Sequence, residues 1–407
     1  MRYRVAIITS HVIQYQDPLF RRLAKHPEID LTVLFCSRIG AQRYFDWDLG
    51  VDLSWDLEML QGYRHQFLRN VSPKSGGGFW TRINPGVTLA LVRGRYDAVI
   101  VMGWGSVTAW LAFFTCRALR TPLYLSGDSS FIKDRRTPKG KARKALLQLL
   151  FARTAGFLLM GTMNGEFYRY FGADPKRFFL VPYAIDNQRF YDGSRTTVAE
   201  RAAFRVELGL DPDCVIILFS GKLIPGKRPL DLIQALERMR LGKRAALLFM
   251  GDGKERSSLE AYVNERKLHN VHFVGFVNQA RMPRIYGASD VLVLPSDYDQ
   301  RGTVVNEAMA CGLPVVISDR VGAWGTGDIV RDGENGFVIP MGDLTRLAKA
   351  LDDLTGDKEL RTRMGRRSLE IISTWDYDKD VEGILAALRA TARASSERWL
   401  LPPHQEG

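Results

Sequence analysis

Short runs of uninterrupted apolar residues recur along this chain, and each is followed by a stretch whose apolar residues stand three and four positions apart. In the first half the runs are "RVAIITS", "DLTVLFCS", "YDAVIVMGW", "PLYLSGD", "AGFLLMG" and "RFFLVPYAI". After a polar connector at about 190–213 a second series follows: "CVIILFSGKL", "AALLFMGDG", "VHFVGF", "DVLVLPS", "PVVISD" and "GFVIP". Strands that do not alternate with polar residues are buried on both faces, which requires a parallel sheet sandwiched by helices. Two such series predict two doubly wound, Rossmann-like α/β domains facing each other across a cleft. The chain of 407 residues is long enough for two cores. The boundaries read as 1–185 and 186–375, with a final helix at about 376–392 packing back on the first domain and a tail at 393–407. Between 40 and 86 the pattern blurs into aromatics (Tyr44, Phe45, Trp47, Trp55) and then glycines. That segment predicts loops and short pieces above a sheet edge.

The formal charge of +12 asks for an anionic partner: nucleic acid, a membrane surface or a phosphorylated small molecule. No recognition-helix or basic-aromatic sheet pattern supports nucleic acid. Four scattered cysteines with no CxxC pair fit a reduced, cytosolic compartment. The N-terminus reads as a first strand rather than a signal peptide, and no apolar run is long enough to span a bilayer.

Ligands of doubly wound sheets bind beyond the carboxyl ends of the strands, so those loops carry the chemistry. "SGKLIPGKRP" places Lys222 and Lys227 around a Pro-Gly turn that opens a helix, an arrangement suited to an anion but equally to a solvated turn. "GDG" at 251–253 reads as a strand-to-helix turn. In "VGFVNQARMPRIYGASD" a backbone stretch can bond the edge of a heterocycle. "SDYDQRGTVVNEAMACG" holds Asp299 and Glu307 eight positions apart around a helix start at Gly302, Thr303 and Val304. One acid can take a ribose diol and the other a sugar hydroxyl, while the helix N–H groups face phosphate. The plainer reading is a helix-dipole acid and one exposed glutamate.

In order and spacing, "GKLIPGKRP", "VHFVGFVNQARMPRIYGASDVLVLPSDYDQRGTVVNEAMACGLPVV" and "GENGFVIPMGD" resemble the nucleotide-sugar domain of retaining family 4 glycosyltransferases, which have the GT-B fold. The resemblance covers nearly all of 215–350. The opening "TSHVIQYQDPLFRRLAKHPEIDLTVLFCS" is similar to a subgroup among bacterial surface-polysaccharide enzymes. The resemblance implies Lys222 and Lys227 at the donor diphosphate, with Lys222 standing where the family usually has a bidentate arginine. It implies Asp299 and Glu307 at the paired-acid positions, Asp299 being one methylene short. Gly302, Thr303 and Val304 match the backbone donors, and Gly221 and Val277 fall on the donor side. His11, Gln14 and Tyr15 fall on the acceptor side, in a loop lacking the family's glycines. Asp128 stands where many members carry a histidine.

The implied activity is sugar transfer with retention, from a UDP-sugar (first choice) or a GDP-sugar (second), to a glycan or lipid-linked glycan of the cell surface. The leaving diphosphate would take the acceptor's proton. No metal and no other cofactor is expected, and "DYD" at 297–299 reads as a chance match to the metal-binding DxD of another fold. An inactive GT-B-like binding subunit is the alternative, favoured by the absent histidine and glycine loop. Epimerase and phosphorylase readings fit less well, since no histidine falls at a strand end of the second domain. Seven basic residues against one acid at 133–144, followed by Leu146, Leu147, Leu149, Leu150 and Phe151, suggest peripheral contact with an anionic membrane or an exposed loop before a core helix. "GGGFW" at 76–80 reads as an acceptor-side loop or a simple connection.

Overall fold

Two parallel sheets carry the chain. The computed structural model describes residues 2–46, 49–74, 76, 78–130 and 138–400, with 138–139 and 392–400 described by their backbone alone. Trp47, Gly77, residues 133–137 of the basic cluster and 401–407 of the tail lie outside the described residues.

The first sheet is built from β1 (Tyr3–Thr9), α1 (Asp17–Lys25), β2 (Ile29–Phe35), the small hairpin β3 (Tyr44–Asp46) and β4 (Val51–Leu53), then β5 (Arg64–Phe67), α2 (Gly86–Gly94), β6 (Ala98–Met102), α3 (Val107–Leu119), β7 (Leu123–Ser126), α4 (Pro138–Ala152), β8 (Gly156–Leu159), α5 (Thr162–Tyr170) and β9 (Phe178–Leu180). Its strand order is β5-β2-β1-β6-β7-β8-β9, and every neighbouring pair is parallel. The blurred segment at 40–86 therefore contains a true sheet strand. β5 reads RHQF, is largely exposed at the edge, and gives no apolar run to find.

The second domain begins with α6 (Asn187–Ser194) and α7 (Val198–Glu207). It continues as β10 (Val215–Ser220), α8 (Pro229–Arg238), β11 (Ala245–Met250), α9 (Arg256–Arg266), β12 (Val271–Gly275), α10 (Met282–Ala288), β13 (Val291–Leu294), α11 (Thr303–Ala310), β14 (Val315–Ser318), β15 (Gly336–Ile339), α12 (Leu344–Gly356) and α13 (Lys358–Ile372). The strand order is β12-β11-β10-β13-β14-β15. β10, β11, β13 and β14 are buried at every position, as strands covered on both faces must be.

The last helix, α14 (Tyr377–Leu400), lays Tyr377, Val381, Ile384, Leu385 and Leu388 into the core of the first domain, beside α1 and the inner residues of β1 and β2. It extends further than the sequence pattern suggests, taking in part of the segment read as a tail. α2, α3, α4 and α5 cover the opposite face of the same sheet. The chain crosses between domains twice. The crossings are fastened together by Asp380, whose carboxylate accepts the backbone N–H of Tyr183 and of Ala184, both at 3.0 Å.

Candidate functional site

Each sheet reverses its winding once, between β1 and β6 in the first and between β10 and β13 in the second. The crevice beyond the carboxyl ends of strands at such a point is where open α/β sheets take ligands. The two crevices face each other and enclose one cavity of ≈ 620 Å³. From the first domain it is lined by Gln14 and Tyr15 after β1, Gly103 after β6, and Asp128 after β7. From the second it is lined by Gly221, Lys222 and Lys227 after β10, and Asp299, Gly302, Thr303 and Val304 after β13. His11, Val277 and Glu307 are not in its lining.

The start of α11 is shaped by Gly302, which adopts φ +67°; a Cβ there would lie 2.9 Å from the Val321 side chain. Its N–H donates to Asp299 Oδ1 at 2.8 Å. The other Asp299 oxygen is paired with Lys227 Nζ. Asp299 thus ties the loop to the cation and has both oxygens engaged by protein, so a sugar hydroxyl would have to displace or share a partner. The first-turn N–H groups of Thr303 and Val304, which a helix cannot pair internally, border the cavity.

Lys222 Nζ lies 3.1 Å from both carboxylate oxygens of Asp46, a residue of the β3 hairpin in the other domain. The stretch after that hairpin also crosses the cleft. Ser54 O accepts from Asn278 Nδ2 at 2.7 Å, and Asp56 accepts from the Ala280 N–H at 3.1 Å. The loop after β12, which holds Val277, is clasped from the first domain here. The sequence gives no sign of this, because Asp46 lies in the aromatic segment whose pattern is blurred.

Glu307 departs from the plainer sequence reading. It is fully buried, not an exposed glutamate. Its carboxylate accepts from Tyr15 Oη and from Tyr286 Oη, each at 2.6 Å, and the Tyr286 oxygen accepts in turn from Ser220 Oγ at 2.9 Å. Burial pushes the Glu307 carboxyl up, while the two phenols pull it the other way. Both phenols are raised, by burial first and by the adjacent Glu307 charge second. Tyr15 lines the cavity and also reaches α11 of the other domain. Tyr286 was missed altogether, although it lies in a stretch singled out for its backbone.

Asp128 opens onto the cavity but is hemmed in by both domains. That desolvation pushes its carboxyl up, and the nearby Asp299 adds to the effect. Beside it Ser130 Oγ donates to Gln300 O at 2.6 Å, another contact across the cleft. His11 is 2.7 Å from Ser10 Oγ through Nδ1, and burial with the neighbouring Arg82 charge lowers it to about 4. Its imidazole is therefore neutral across the physiological range. Arg301, buried behind the Asp299 loop, pairs with Asp328 at 2.9 Å and lies over the Trp375 ring. The "GDG" turn is structural: a Cβ on Gly251 would sit 1.9 Å from Gly221 O, so this glycine lets the β10 loop pack close.

Two Rossmann-like domains with a cavity between their switch points define the GT-B fold, and the solved structures agree. The Anabaena Alr3699/HepE protein in complex with UDP superposes with a TM-score of 0.71 at 16% identity, over 98% of this chain and 100% of that one. WaaG, a glycosyltransferase involved in lipopolysaccharide biosynthesis, gives 0.61 at 18% identity, over 94% and 98%. Residues 200–370, most of the second domain, match the family model described as glycosyl transferases group 1. Among curated relatives, the D-inositol 3-phosphate glycosyltransferase of Streptomyces bingchenggensis is 29% identical over 324 residues, 74% of this chain and 66% of that protein. The chain spans from about half to just under two thirds of the length of the first such relatives.

Proposed function

We propose that this protein is a glycosyltransferase that moves a sugar from a nucleotide-sugar donor to a glycan or lipid-linked glycan acceptor, with retention of anomeric configuration. The observation that carries the reading is the convergence of Lys222, Lys227 and the first turn of α11 on a cavity between two switch points. Two ammonium groups and unpaired helix N–H donors stabilise the charge that develops on a departing diphosphate, and such preorganised charge is commonly the largest catalytic contribution. The Anabaena protein, solved with UDP and with UDP-glucose, supports UDP as the first choice of donor nucleotide, ahead of GDP. The proton of the attacking hydroxyl passes to the leaving phosphate oxygen on the same face. Closure of the cleft excludes water and so suppresses hydrolysis. Asp128 and Gln14 border the side from which the acceptor enters.

The glycosyltransferase named for lipopolysaccharide biosynthesis supports a cell-surface product, and the inositol-phosphate relatives support a phosphorylated polyol acceptor as the second choice. No metal or other cofactor has a part in this scheme. The protein works in the cytoplasm, in peripheral contact with the inner face of the membrane. No helix among the described residues is long and apolar enough to cross a bilayer.

The test is a thermal-shift panel of UDP, GDP, ADP and their sugar conjugates, with and without EDTA, on wild type and Lys227→Ala. A ligand of the folded state must raise the melting temperature. One nucleotide that stabilises wild type regardless of EDTA, and has a much weaker effect on the variant, supports the donor site. No shift at millimolar concentration, together with no sugar transfer, moves the reading to a binding subunit without catalysis.

A further inference from the structure

A second, smaller cavity of ≈ 90 Å³ adjoins the one in the cleft. The two share Thr9 and Ser10 at the end of β1, and Met102 and Gly103 at the end of β6. Every residue lining the smaller one belongs to the first domain, so it stands apart from Lys222, Lys227 and the start of α11. Arg82 is the one charged residue in this lining, and no aspartate or glutamate is present. Among the described residues no carboxylate pairs with its guanidinium. Its charge is felt on both sides: it depresses the His11 imidazole, and it draws the Cys36 thiol down against the effect of burial. Both groups are uncharged at neutral pH, so neither offsets it.

The backbone holds Arg82 in place. Its carbonyl accepts the Thr108 N–H, in the first turn of α3, at 3.3 Å. Asn84, fully buried two positions on, donates through Nδ2 to Cys36 O and to Leu68 O, both at 3.0 Å, and its N–H donates to Thr108 Oγ1 at 2.9 Å. The segment is thus tied to α3 and to the chain just beyond β2 and β5. A guanidinium fixed in this way, half-buried beside an enclosed space and without an acid, has hydrogen-bond donors to spare.

We infer that this side cavity receives the carboxylate of a hexuronate in the acceptor glycan, held by the Arg82 guanidinium, with the sugar ring in the main cavity. The inference rests on the glycosyltransferase reading and narrows its acceptor to an acidic glycan. A planar carboxylate takes two parallel hydrogen bonds from one guanidinium fork and balances its single charge. A phosphate monoester carries about −1.5 to −2 near pH 7, and a lone cation in a half-enclosed space leaves the excess charge unpaired. The diphosphate of the donor meets its cations in the other domain.

The test is a nuclear magnetic resonance titration of the full chain, labelled in its histidines and with UDP present. The probes are methyl glucuronoside, methyl glucoside and glucose 6-phosphate. His11 neighbours Arg82 and reports on the side cavity. The glucuronoside should move the His11 ring resonances saturably, the glucoside should not, and the phosphate should bind roughly tenfold more weakly than the glucuronoside. Arg82→Gln should weaken the glucuronoside by roughly tenfold to a hundredfold, the range for a hydrogen-bonded charged partner. Arg82→Lys should recover part of this, since the charge stays and the fork does not. Melting temperatures establish that the variants fold, and the order of the three probes on wild type decides without them. No response to the glucuronoside, an equal response to the glucoside, equal or tighter binding of the phosphate, or wild-type affinity in folded Arg82→Gln overturns the inference. If UDP raises the melting temperature and the glucuronoside is silent, the acidic acceptor falls and the donor reading stands. If UDP has no effect but the glucuronoside binds through Arg82, the carboxylate site stands and the donor reading falls.

Discussion

Tyr15 and Glu307 stand 292 positions apart in the chain and meet across the cleft, phenol to buried carboxylate at 2.6 Å. The contact joins the loop after β1 to the helix after β13, so it couples the two switch-point loops directly. Tyr286 holds the other oxygen of the same carboxylate from within the second domain. The two phenols differ in one respect: Tyr15 borders the cavity, whereas Tyr286 is completely buried. Tyr15→Phe should therefore cost about 1–2 kcal/mol, because water from the cleft can replace the lost donor. Tyr286→Phe should cost about 2–3 kcal/mol, since it strands both Glu307 and Ser220 where water does not reach. Denaturant titration of the two variants gives the order, and a larger loss for Tyr15→Phe would contradict the assignment.

Asp46 pairs with Lys222 across the cleft. If Lys222 is a diphosphate ligand, Asp46 competes with the donor for it. Asp46→Asn should tighten nucleotide binding about fivefold, the equivalent of about 1 kcal/mol for a partly exposed pair. The gain should shrink as salt is added. Calorimetric titration with the nucleotide found by the thermal panel measures it, and a weaker dissociation constant would sink the competition.

Lys227→Ala removes one of the two cationic side chains proposed for the diphosphate and frees the Asp299 carboxylate beside it. The proposed reaction should slow by roughly a hundredfold to a thousandfold in kcat, in the manner of a lost transition-state donor. Lys227→Arg should recover only part of this, since the fork does not fit a site built around one ammonium. Steady-state assays with saturating donor read the difference. A change confined to KM would place Lys227 in ground-state binding alone.

Asp380 supplies a pH signature. Burial lifts its carboxyl from an ordinary 3.8 to about 7, and the amides of Ala184 and Tyr183 only partly offset this. Between those values the folded chain keeps a proton that the unfolded chain has released. Folding then takes up a proton, and this group's contribution to stability declines as pH rises from about 4 to about 7. Below and above that window its slope vanishes. Melting temperatures across the window should fall less steeply for Asp380→Asn than for wild type, and parallel curves would exclude the linkage.

The strands of both sheets were legible because parallel, doubly covered strands are continuous apolar runs, as in β10 with VIILFS. β5 was not, because an exposed edge strand has no apolar signature. In the site, the lysine loop and the α11 start stood out through the resemblance of their motifs, since their spacing alone suited a solvated turn and a helix-dipole acid as well, and both border the cavity. The contacts of Tyr15 and Asp46 were not legible because their partners, Glu307 and Lys222, lie in the other domain, and no spacing rule reaches that far. Glu307 shows the limit most plainly. Its spacing from Asp299 was legible, but the two phenols that donate to its oxygens were not.

The exchange made by α14 has a consequence for biosynthesis. The first domain's sheet is complete by Leu180, yet the residues that seal one of its faces, from Tyr377 to Leu388, lie about two hundred positions later. On the ribosome, that apolar face stays uncovered through synthesis of the entire second domain, the interval in which nascent chains are most exposed to misassembly and chaperone capture. A premature stop between the second domain and Leu388 would thus damage the first domain, and the lesion would lie far in sequence from the core it exposes.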